Sequence, residues 1–388
     1  MDINLISAIL FYSIIIILIY IYRKKFDIHG KVIALYRTKI GLKLIDRISK
    51  TFPRFLDILS NFGIYICFIG MIFITIFLLK GAYDLIMVPD SAPTLSLLIP
   101  GIKIPGFIYV PFWYGIISLF IVIVIHEFSH GIISKVHNIK IKSSGFGMFA
   151  IFPIAFVEPD EKQLLKKSKK QQLSVFAAGP FSNILTALLV LLISIFLIAP
   201  IINSAFEFEG INIEEVVEDS PAYESGLKQG DVIIGIDGIK INKSNFHELL
   251  SSKTPGQEVI LQTTEKNLTI IPLQHKEDGL KPYYGIFMTS KIKLKESVAA
   301  RFGKIPWSIF YLIDFLNWLF TLSLGIGLAN LLPLGPVDGG RMTYTSLLKF
   351  YKEEKARKIW KNISLFILLL LIINLAFPFI KKLIHPSL

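Results

Sequence analysis

Apolar residues fall into six long and almost uninterrupted runs along the chain. A helix needs about 20 apolar residues to cross the hydrocarbon core of a bilayer. The runs that meet this requirement are 3–22, 62–82, 107–136, 172–204, 307–334 and 359–380. The pattern predicts a polytopic α-helical membrane protein with about six transmembrane helices.

Basic residues concentrate in the loops between these runs and predict the orientation of the chain. Segments 23–59, 134–171 and 341–361 carry ten, eight and seven Lys or Arg, whereas 83–106 carries one. These three basic loops fall on one side if the spans alternate, and basic loops are typically cytoplasmic. We therefore expect both termini and residues 205–303 outside the cell membrane, and the end of the third span at the cytoplasmic side.

Composition agrees with this class. The chain is 53% hydrophobic with a mean hydropathy of +0.60, which is typical of membrane proteins. The net charge of +12 comes from the loops, so the lipid bilayer is the expected partner and nucleic acid is not. The single Cys67 lies in an apolar run, which excludes a disulfide framework and a Cys-based metal site.

Two shorter segments flank the spans. Residues 31–60 mix apolar and basic residues at helical spacing, which favours a helix along the cytoplasmic membrane surface or a solvated loop helix. Residues 145–161 contain two Gly and Pro153 without helical periodicity. They are too short to span, and a hairpin or re-entrant loop there could offer a strand edge to an extended peptide.

The third run ends in the sequence His126-Glu127-Phe128-Ser129-His130. Positions i and i+4 share one face of a helix, so His126 and His130 can direct two imidazoles at one metal ion. Glu127 lies beside them as a candidate acid and base for water. Ionisable residues inside a span are costly unless they are used. The pattern predicts a catalytic zinc site within the membrane, with one Zn²⁺ per chain.

A catalytic zinc site needs a third protein ligand. The candidates are His137, Glu158, Asp160 and Asp338. Asp338 follows a segment rich in Pro and Gly at the cytoplasmic end of the fifth run, the same predicted membrane side as His130. Irregular backbone at that depth is tolerated where it lines a cavity, so Asp338 is the favoured ligand.

The fourth run places Gly179 and Asn183 on one helix face. Close helix packing would explain the pair, and contact with a substrate is the alternative. Asn183 is accordingly among the candidate substrate-binding residues.

Residues 206–290 carry more charge and more Gly than the spans. Ser220 can cap a helix that Gly226 ends, Asp237-Gly238 suits a tight hairpin turn, and a second helix is expected over 244–252. Two further strands are expected over 258–264 and 267–273. The segment resembles a PDZ domain, an α+β fold that implies peptide binding by strand addition. The alternative is a steric filter over the active site.

The order of these motifs also resembles the site-2 protease family of intramembrane zinc metalloproteases, over about 107 to 345. The resemblance implies His126, His130 and Asp338 as zinc ligands and Glu127 as the catalytic acid and base. It further implies substrate binding by Asn330 and Pro333, and presentation of the substrate by the 145–158 loop, which includes Gly145 and Gly147. The implied substrates are transmembrane proteins.

Four regions follow from these observations. Residues 1–106 hold two transmembrane helices and a basic loop, 107–204 the first half of the protease core, 205–300 the PDZ-like insert, and 301–388 the second half of the core. Two alternatives stay open. One is a polytopic zinc peptidase that cuts soluble or lipidated peptides with Glu158 as third ligand, and the other is an inactive scaffold that binds clients through the PDZ-like insert.

Overall fold

A computed structural model of the chain describes residues 3–29, 33–88, 94–96, 98–104, 107–149, 152–274 and 281–384. The chain forms two compact units, one of Met1–Ser194 with Tyr311–Leu388 and one of Ile195–Phe310. The predicted insert 205–300 lies within the second unit.

The first unit is mainly helical. Its helices are α1 (Ile3–Ile21), α2 (Leu42–Thr51), α3 (Pro53–Met87), α4 (Phe112–Val136), α5 (Glu161–Leu165) and α6 (Lys169–Ile193). The second unit has α7 (Ala199–Ala205), α8 (Pro221–Glu224), α9 (Phe246–Ser251) and α10 (Glu296–Phe302). Then follow α11 (Ile309–Asn330), α12 (Asp338–Leu347) and α13 (Glu353–Ile384).

Six candidate membrane spans occur among the described residues, as judged by their length and hydropathy. They are Ile3–Ile21, Pro53–Met87, Phe112–Val136, Lys169–Ala205, Ile305–Asn330 and Glu353–Ala376. Each overlaps one of the six predicted runs, and the prediction of a multi-pass helical membrane protein is confirmed.

The first unit also contains a four-stranded antiparallel sheet in the order β1-β2-β3-β4. The strands are β1 (Asp27–His29), β2 (Ile33–Thr38), β3 (Ile141–Phe149) and β4 (Phe152–Pro159). The predicted hairpin after the third span is therefore a pair of strands. The prediction of a surface helix over 31–60 is wrong for residues 33–38, because these residues pair with β3 from Ile33↔Phe149 to Thr38↔Ser144. Long-range pairing overrides the local helical pattern there.

The core of the first unit lies between α3, α4 and α6. Cys67, Ala177 and Leu331 are fully buried in this core. Gly63 of α3 faces the ring of Phe181, and a Cβ at Gly63 would lie 2.7 Å from that ring. Small residues at this crossing let α3 and α6 approach closely, which is how helices pack in a membrane.

The second unit is an α+β fold built on a six-stranded sheet. Its strands are β5 (Phe206–Val216), β6 (Val232–Ile236), β7 (Ile239–Lys240), β8 (Val259–Thr263), β9 (Asn267–Ile270) and β12 (Ile286–Leu294), in the order β12-β5-β6-β8-β9 with β7 beside β6. A separate pair consists of β10 (Leu273–Gln274) and β11 (Pro282–Tyr283).

The short-range predictions for this unit are confirmed. Ser220 Oγ accepts a hydrogen bond from the Tyr223 amide at 3.3 Å and so caps α8. Asp237 and Gly238 connect β6 and β7 with φ of 51° and 80°, the backbone of a type I′ hairpin turn. The long strands β5 and β12 were not predicted, although apolar residues alternate with charged or polar residues in both segments, which is the pattern of a half-buried strand.

Candidate metal centre and catalytic cavity

Helix α4 supplies three of the predicted site residues. His126 and His130 are one helical turn apart, and their Nε2 atoms lie 3.2 Å from each other. His126 is 7% exposed within a helix long enough to span a membrane. The helical i and i+4 spacing therefore brings both imidazoles to one point, as predicted.

Asp338 reaches the same point from the other end of the chain. Its Oδ2 lies 3.1 Å from His126 Nε2 and 3.2 Å from His130 Nε2. Among the described residues, these three side chains form the group of His, Cys, Asp or Glu that could hold a metal ion. Two imidazole nitrogens and one carboxylate are a donor set that suits zinc with an open position for water.

The backbone around Asp338 explains why the sequence is Gly-rich there. Helix α11 ends at Asn330 and α12 begins at Asp338, so the chain turns sharply between them. A Cβ at Gly339 would overlap the Leu331 carbonyl oxygen, and a Cβ at Gly340 would overlap that of Leu334. Only glycine permits this close approach of backbone, which directs Asp338 at the histidines.

Contacts at Nδ1 of each imidazole leave the Nε2 atom available for a metal. His130 Nδ1 donates to the Val175 carbonyl oxygen at 2.7 Å, which leaves the lone pair of Nε2 for a metal. His126 Nδ1 lies 3.1 Å from Asn183 Nδ2, while Asn183 Oδ1 is buried and has no partner among the described residues. Rotation of this amide by 180° would let Oδ1 accept from His126 Nδ1–H. The residues therefore fit a metal ion.

The electrostatics of Asp338 also favour a cation. Asp338 is 8% exposed, and its Oδ2 lies close to the Nε2 atoms of both imidazoles. A carboxylate in such a buried position needs positive charge beside it. A zinc ion supplies that charge.

Gly179 of α6 leaves the space that such an ion needs. A Cβ at this position would overlap His130 Nε2 and lie 2.5 Å from His126 Nε2. The sequence suggested close helix packing at Gly179, whereas in the structure its missing side chain opens the metal centre.

We expect Gly179→Ala to lower the bound zinc from about one ion per chain to less than a tenth, because the added methyl group occupies the space beside both ligand nitrogens. Metal analysis of the purified protein checks this. Gly325→Ala is the matched control, since a Cβ at Gly325 meets no atom within 4 Å. Equal zinc content in the two variants would contradict the expectation.

The three ligands open onto a cavity of about 720 Å³ in the first unit. Glu127 and Asn330 line it, together with the β4 residues Phe156 to Pro159. One Glu127 oxygen, Oε2, accepts a hydrogen bond from the Val157 amide at 3.2 Å. The catalytic candidate is therefore oriented by the backbone of β4, a contact that the sequence did not indicate.

The other candidate ligands lie elsewhere. His137 Nε2 is 2.7 Å from Ser174 Oγ, and Asp160 caps α5 by accepting from the Gln163 amide. Glu158 forms an ion pair with Arg37 and accepts from Ser143 Oγ at 2.8 Å. Of the four candidates, the structure brings only Asp338 to the two histidines.

The predicted substrate-binding residues are distributed unevenly. Asn330 lines the cavity, whereas Pro333 is buried and its carbonyl oxygen accepts from Ser364 Oγ. Asn183 contacts His126. Gly145 and Gly147 lie on β3, which pairs with β2 and β4 on its two edges. A Cβ at either glycine would meet a carbonyl oxygen of β2, so both glycines allow close strand approach.

Comparison with known proteins gives the family. The sequence matches peptidase family M50 over residues 114–371, a range that contains His126, Glu127, His130 and Asp338. The chain is a member of peptidase family M50. The site-2 protease resemblance is confirmed at this level.

This M50 peptidase is similar to several individual proteins, two of which are named as zinc metalloproteases. "Uncharacterized protein MJ0971" of Methanocaldococcus jannaschii is 29% identical over 380 residues, 95% of this chain and 93% of that protein. "Putative zinc metalloprotease CPE1693" of Clostridium perfringens is 23% identical over 71% of this chain and 99% of its own length. "Zinc metalloprotease RasP" of Geobacillus kaustophilus is 25% identical over 49% of this chain and 53% of its own length.

The family, its zinc metalloprotease members and the six apolar helices together establish the general class. The chain is a multi-pass membrane protein and a zinc metalloprotease, and its cofactor is Zn²⁺. His126, His130 and Asp338 form the metal site that the structure offers for this ion.

Proposed function

We propose that this M50 peptidase is an intramembrane endopeptidase that cleaves membrane proteins within or near their transmembrane segments. The observation that supports this most directly is the position of the site. The ligands His126 and His130 and the neighbouring Glu127 lie on α4, a helix long and apolar enough to span the bilayer. We propose that a peptide bond reaches this site at membrane depth.

The proposed mechanism assigns a task to each residue. His126, His130 and Asp338 would hold the zinc ion, which supplies polarisation of the scissile carbonyl and acidification of water at neutral pH. The Glu127 carboxylate takes the proton of the attacking water and later gives it to the leaving amine. The Val157 amide keeps one Glu127 oxygen in place, so the other oxygen can face the cavity.

Strand β4 is the proposed docking edge for the unwound substrate. It is the last strand of the described sheet. Because the Val157 N–H points to Glu127, the alternation of an antiparallel strand turns the N–H and C=O of Ala155 away from β3 as well. A substrate held in an extended conformation could pair with these groups and recover backbone hydrogen bonds lost on unwinding. The free edge thus belongs to β4, whereas Gly145 and Gly147 are on the interior strand.

Asn330 is proposed to accept or donate hydrogen bonds to the unwound segment. Its side chain lines the cavity where α11 ends. Asn330→Ala should reduce kcat/KM about tenfold for an intact span, and less than threefold for a span already loosened by helix-breaking residues, because only the intact span must be unwound. Paired cleavage assays measure this. Asn317→Ala, an exposed change on the same helix, is the control, and equal losses for both substrates would argue against the role.

The second unit is proposed to be a PDZ-like domain that binds a peptide segment. Strand β12 is at the end of its sheet, and a cavity of about 390 Å³ lies between residues of β12 and α9, including Ile286, Met288 and Leu250. An extended peptide could add to this strand. Fluorescence anisotropy with labelled extended peptides tests this on the full chain, and absence of binding at millimolar concentration would favour the steric-filter alternative.

The orientation of the chain across the membrane is also a proposal. The basic loops support a cytoplasmic location for the end of α4 and for the metal centre, with the second unit and both termini outside. Labelling of single introduced cysteines from one side of intact cells would test it, after Cys67 has been replaced.

The proposed activity is tested with the purified protein and a single-span substrate in lipid vesicles. Cleavage within the span that ceases after treatment with a zinc chelator, and returns with added Zn²⁺, supports the proposal. Cleavage of soluble or lipidated peptides alone would support the general peptidase alternative, although Glu158 lies with Arg37 and not with the histidines. Absence of both cleavage and bound zinc would favour the scaffold.

A further inference from the structure

Arg37 on β2 contacts all three other strands of the four-stranded sheet. Its Nε donates to Asp27 Oδ2 on β1 at 2.7 Å, and its Nη1 donates to Ser143 Oγ on β3 at 3.2 Å. Nη1 also forms an ion pair with Glu158 on β4, and the guanidinium lies over the Phe156 ring at 5.7 Å. One side chain therefore ties four strands together at one level of the sheet.

These contacts lie where the four-stranded sheet borders the catalytic cavity. Arg37, Phe156 and Glu158 line that cavity. Val157 stands between Phe156 and Glu158 and donates its amide hydrogen to Glu127. The Arg37–Glu158 ion pair is consequently one residue away from the hydrogen bond that orients the catalytic candidate.

Stability alone is a weak reason for this arrangement. The side chains of Arg37 and Glu158 are 43% and 37% exposed, and ion pairs at such exposure add little to the stability of a fold. Catalysis is far more sensitive, because small displacements of a reacting group lower the rate strongly. An ion pair that fixes β4 beside Glu127 therefore has a larger effect on the catalytic rate than on the stability of the fold.

We propose that Arg37 is a positioning residue of this peptidase, which acts through Glu158 and the Val157 amide to hold Glu127 toward the cavity. The inference rests on the proposed role of Glu127 as base. Arg37 precedes the matched range 114–371, so the N-terminal segment that carries β1 and β2 contributes to the active site and does more than anchor the chain.

The test compares kcat, KM and hydrogen exchange in the full-length protein. Arg37→Gln and Glu158→Gln should each lower kcat about tenfold with KM changed less than twofold, and the double variant should be no slower than either single variant. Arg37→Lys should recover part of the loss, since an ammonium can still pair with Glu158. In the zinc-free protein, exchange of the Val157 amide should rise in both Gln variants while the amides of β3, which pairs with β2 and β4, stay protected.

Two matched variants separate positioning from a structural role. Asp27→Asn removes the other ion pair of the same arginine, on β1 and away from Glu127, and should leave kcat within twofold of the wild type. Arg47→Gln removes an exposed positive charge of α2 and should also be silent. Equal losses in Asp27→Asn and Glu158→Gln, or exchange that also rises throughout β3, would overturn the inference in favour of general sheet stability.

The outcome is distinguishable from failure of the proposed function. If the wild-type protein cleaves and Glu127→Gln does not, the proposed function stands, and Arg37→Gln within twofold of Arg47→Gln then overturns only this inference. If the wild type cleaves no span, the proposed function fails. In that case the exchange of the Val157 amide in the zinc-free protein still decides whether Arg37 orders this contact.

Discussion

Replacing Glu127 with Gln should lower kcat by about 10³-fold while the zinc content stays at about one ion per chain. The amide cannot take a proton from water, and positioned acid–base groups contribute about 10²–10⁴-fold to rates. The ligand atoms of His126, His130 and Asp338 converge without Glu127, so metal binding should persist. Cleavage of the single-span substrate and metal analysis of the same preparation provide the two measurements.

The control for this experiment is Glu161→Gln. Glu161 lines the same cavity on α5, so the variant makes the same change of charge without touching the metal centre. We expect it to keep at least half of the wild-type kcat. A Glu127→Gln variant that cleaves at more than a tenth of the wild-type rate would show that another group serves as base.

The second large effect is expected for the third ligand. Asp338→Asn should lower bound zinc to less than a tenth of an ion per chain after dialysis, whereas Glu158→Gln should leave it unchanged. A neutral amide is a poor zinc ligand compared with a carboxylate, and the buried Asp338 oxygen lies within 3.2 Å of both imidazoles. Glu158 instead pairs with Arg37.

Zinc content distinguishes the two interpretations of the site more directly than activity does. Both variants are expected to lose activity, Asp338→Asn through the metal and Glu158→Gln through the position of β4. Only the metal analysis separates these causes. Loss of zinc in Glu158→Gln with retention in Asp338→Asn would reverse the assignment and revive the alternative peptidase.

Most of the metal centre could be predicted from the sequence. His126, Glu127 and His130 follow from helical geometry within five positions, since a span fixes their relative directions. The helix end near 331 also follows, because Pro333, Pro336 and the glycines cannot continue α11. Asp338 was favoured among four candidates by its predicted membrane side, and the structure brings it to the histidines.

Local sequence patterns did not predict the contacts between segments that are far apart in the chain. Residues 33–38 have helical spacing, yet they form β2 because β3, more than 100 positions later, offers a strand edge. Gly179 could be recognised as small, but not as the space beside two imidazoles. In the sequence, Arg37 is one of ten basic residues of segment 23–59. Only the sheet shows that it pairs with Glu158.

The sequence by itself determined the membrane class, the six spans, the two histidines with their glutamate, and the tight turns of the second unit. Each of these depends on interactions within one helix, one turn or one hydrophobic run, which short-range geometry and burial decide. Only the tertiary structure decided which strand edge faces Glu127, which glycine opens the metal centre and which arginine holds β4. Those features depend on pairing between segments far apart in the chain, and no local pattern encodes the choice of partner.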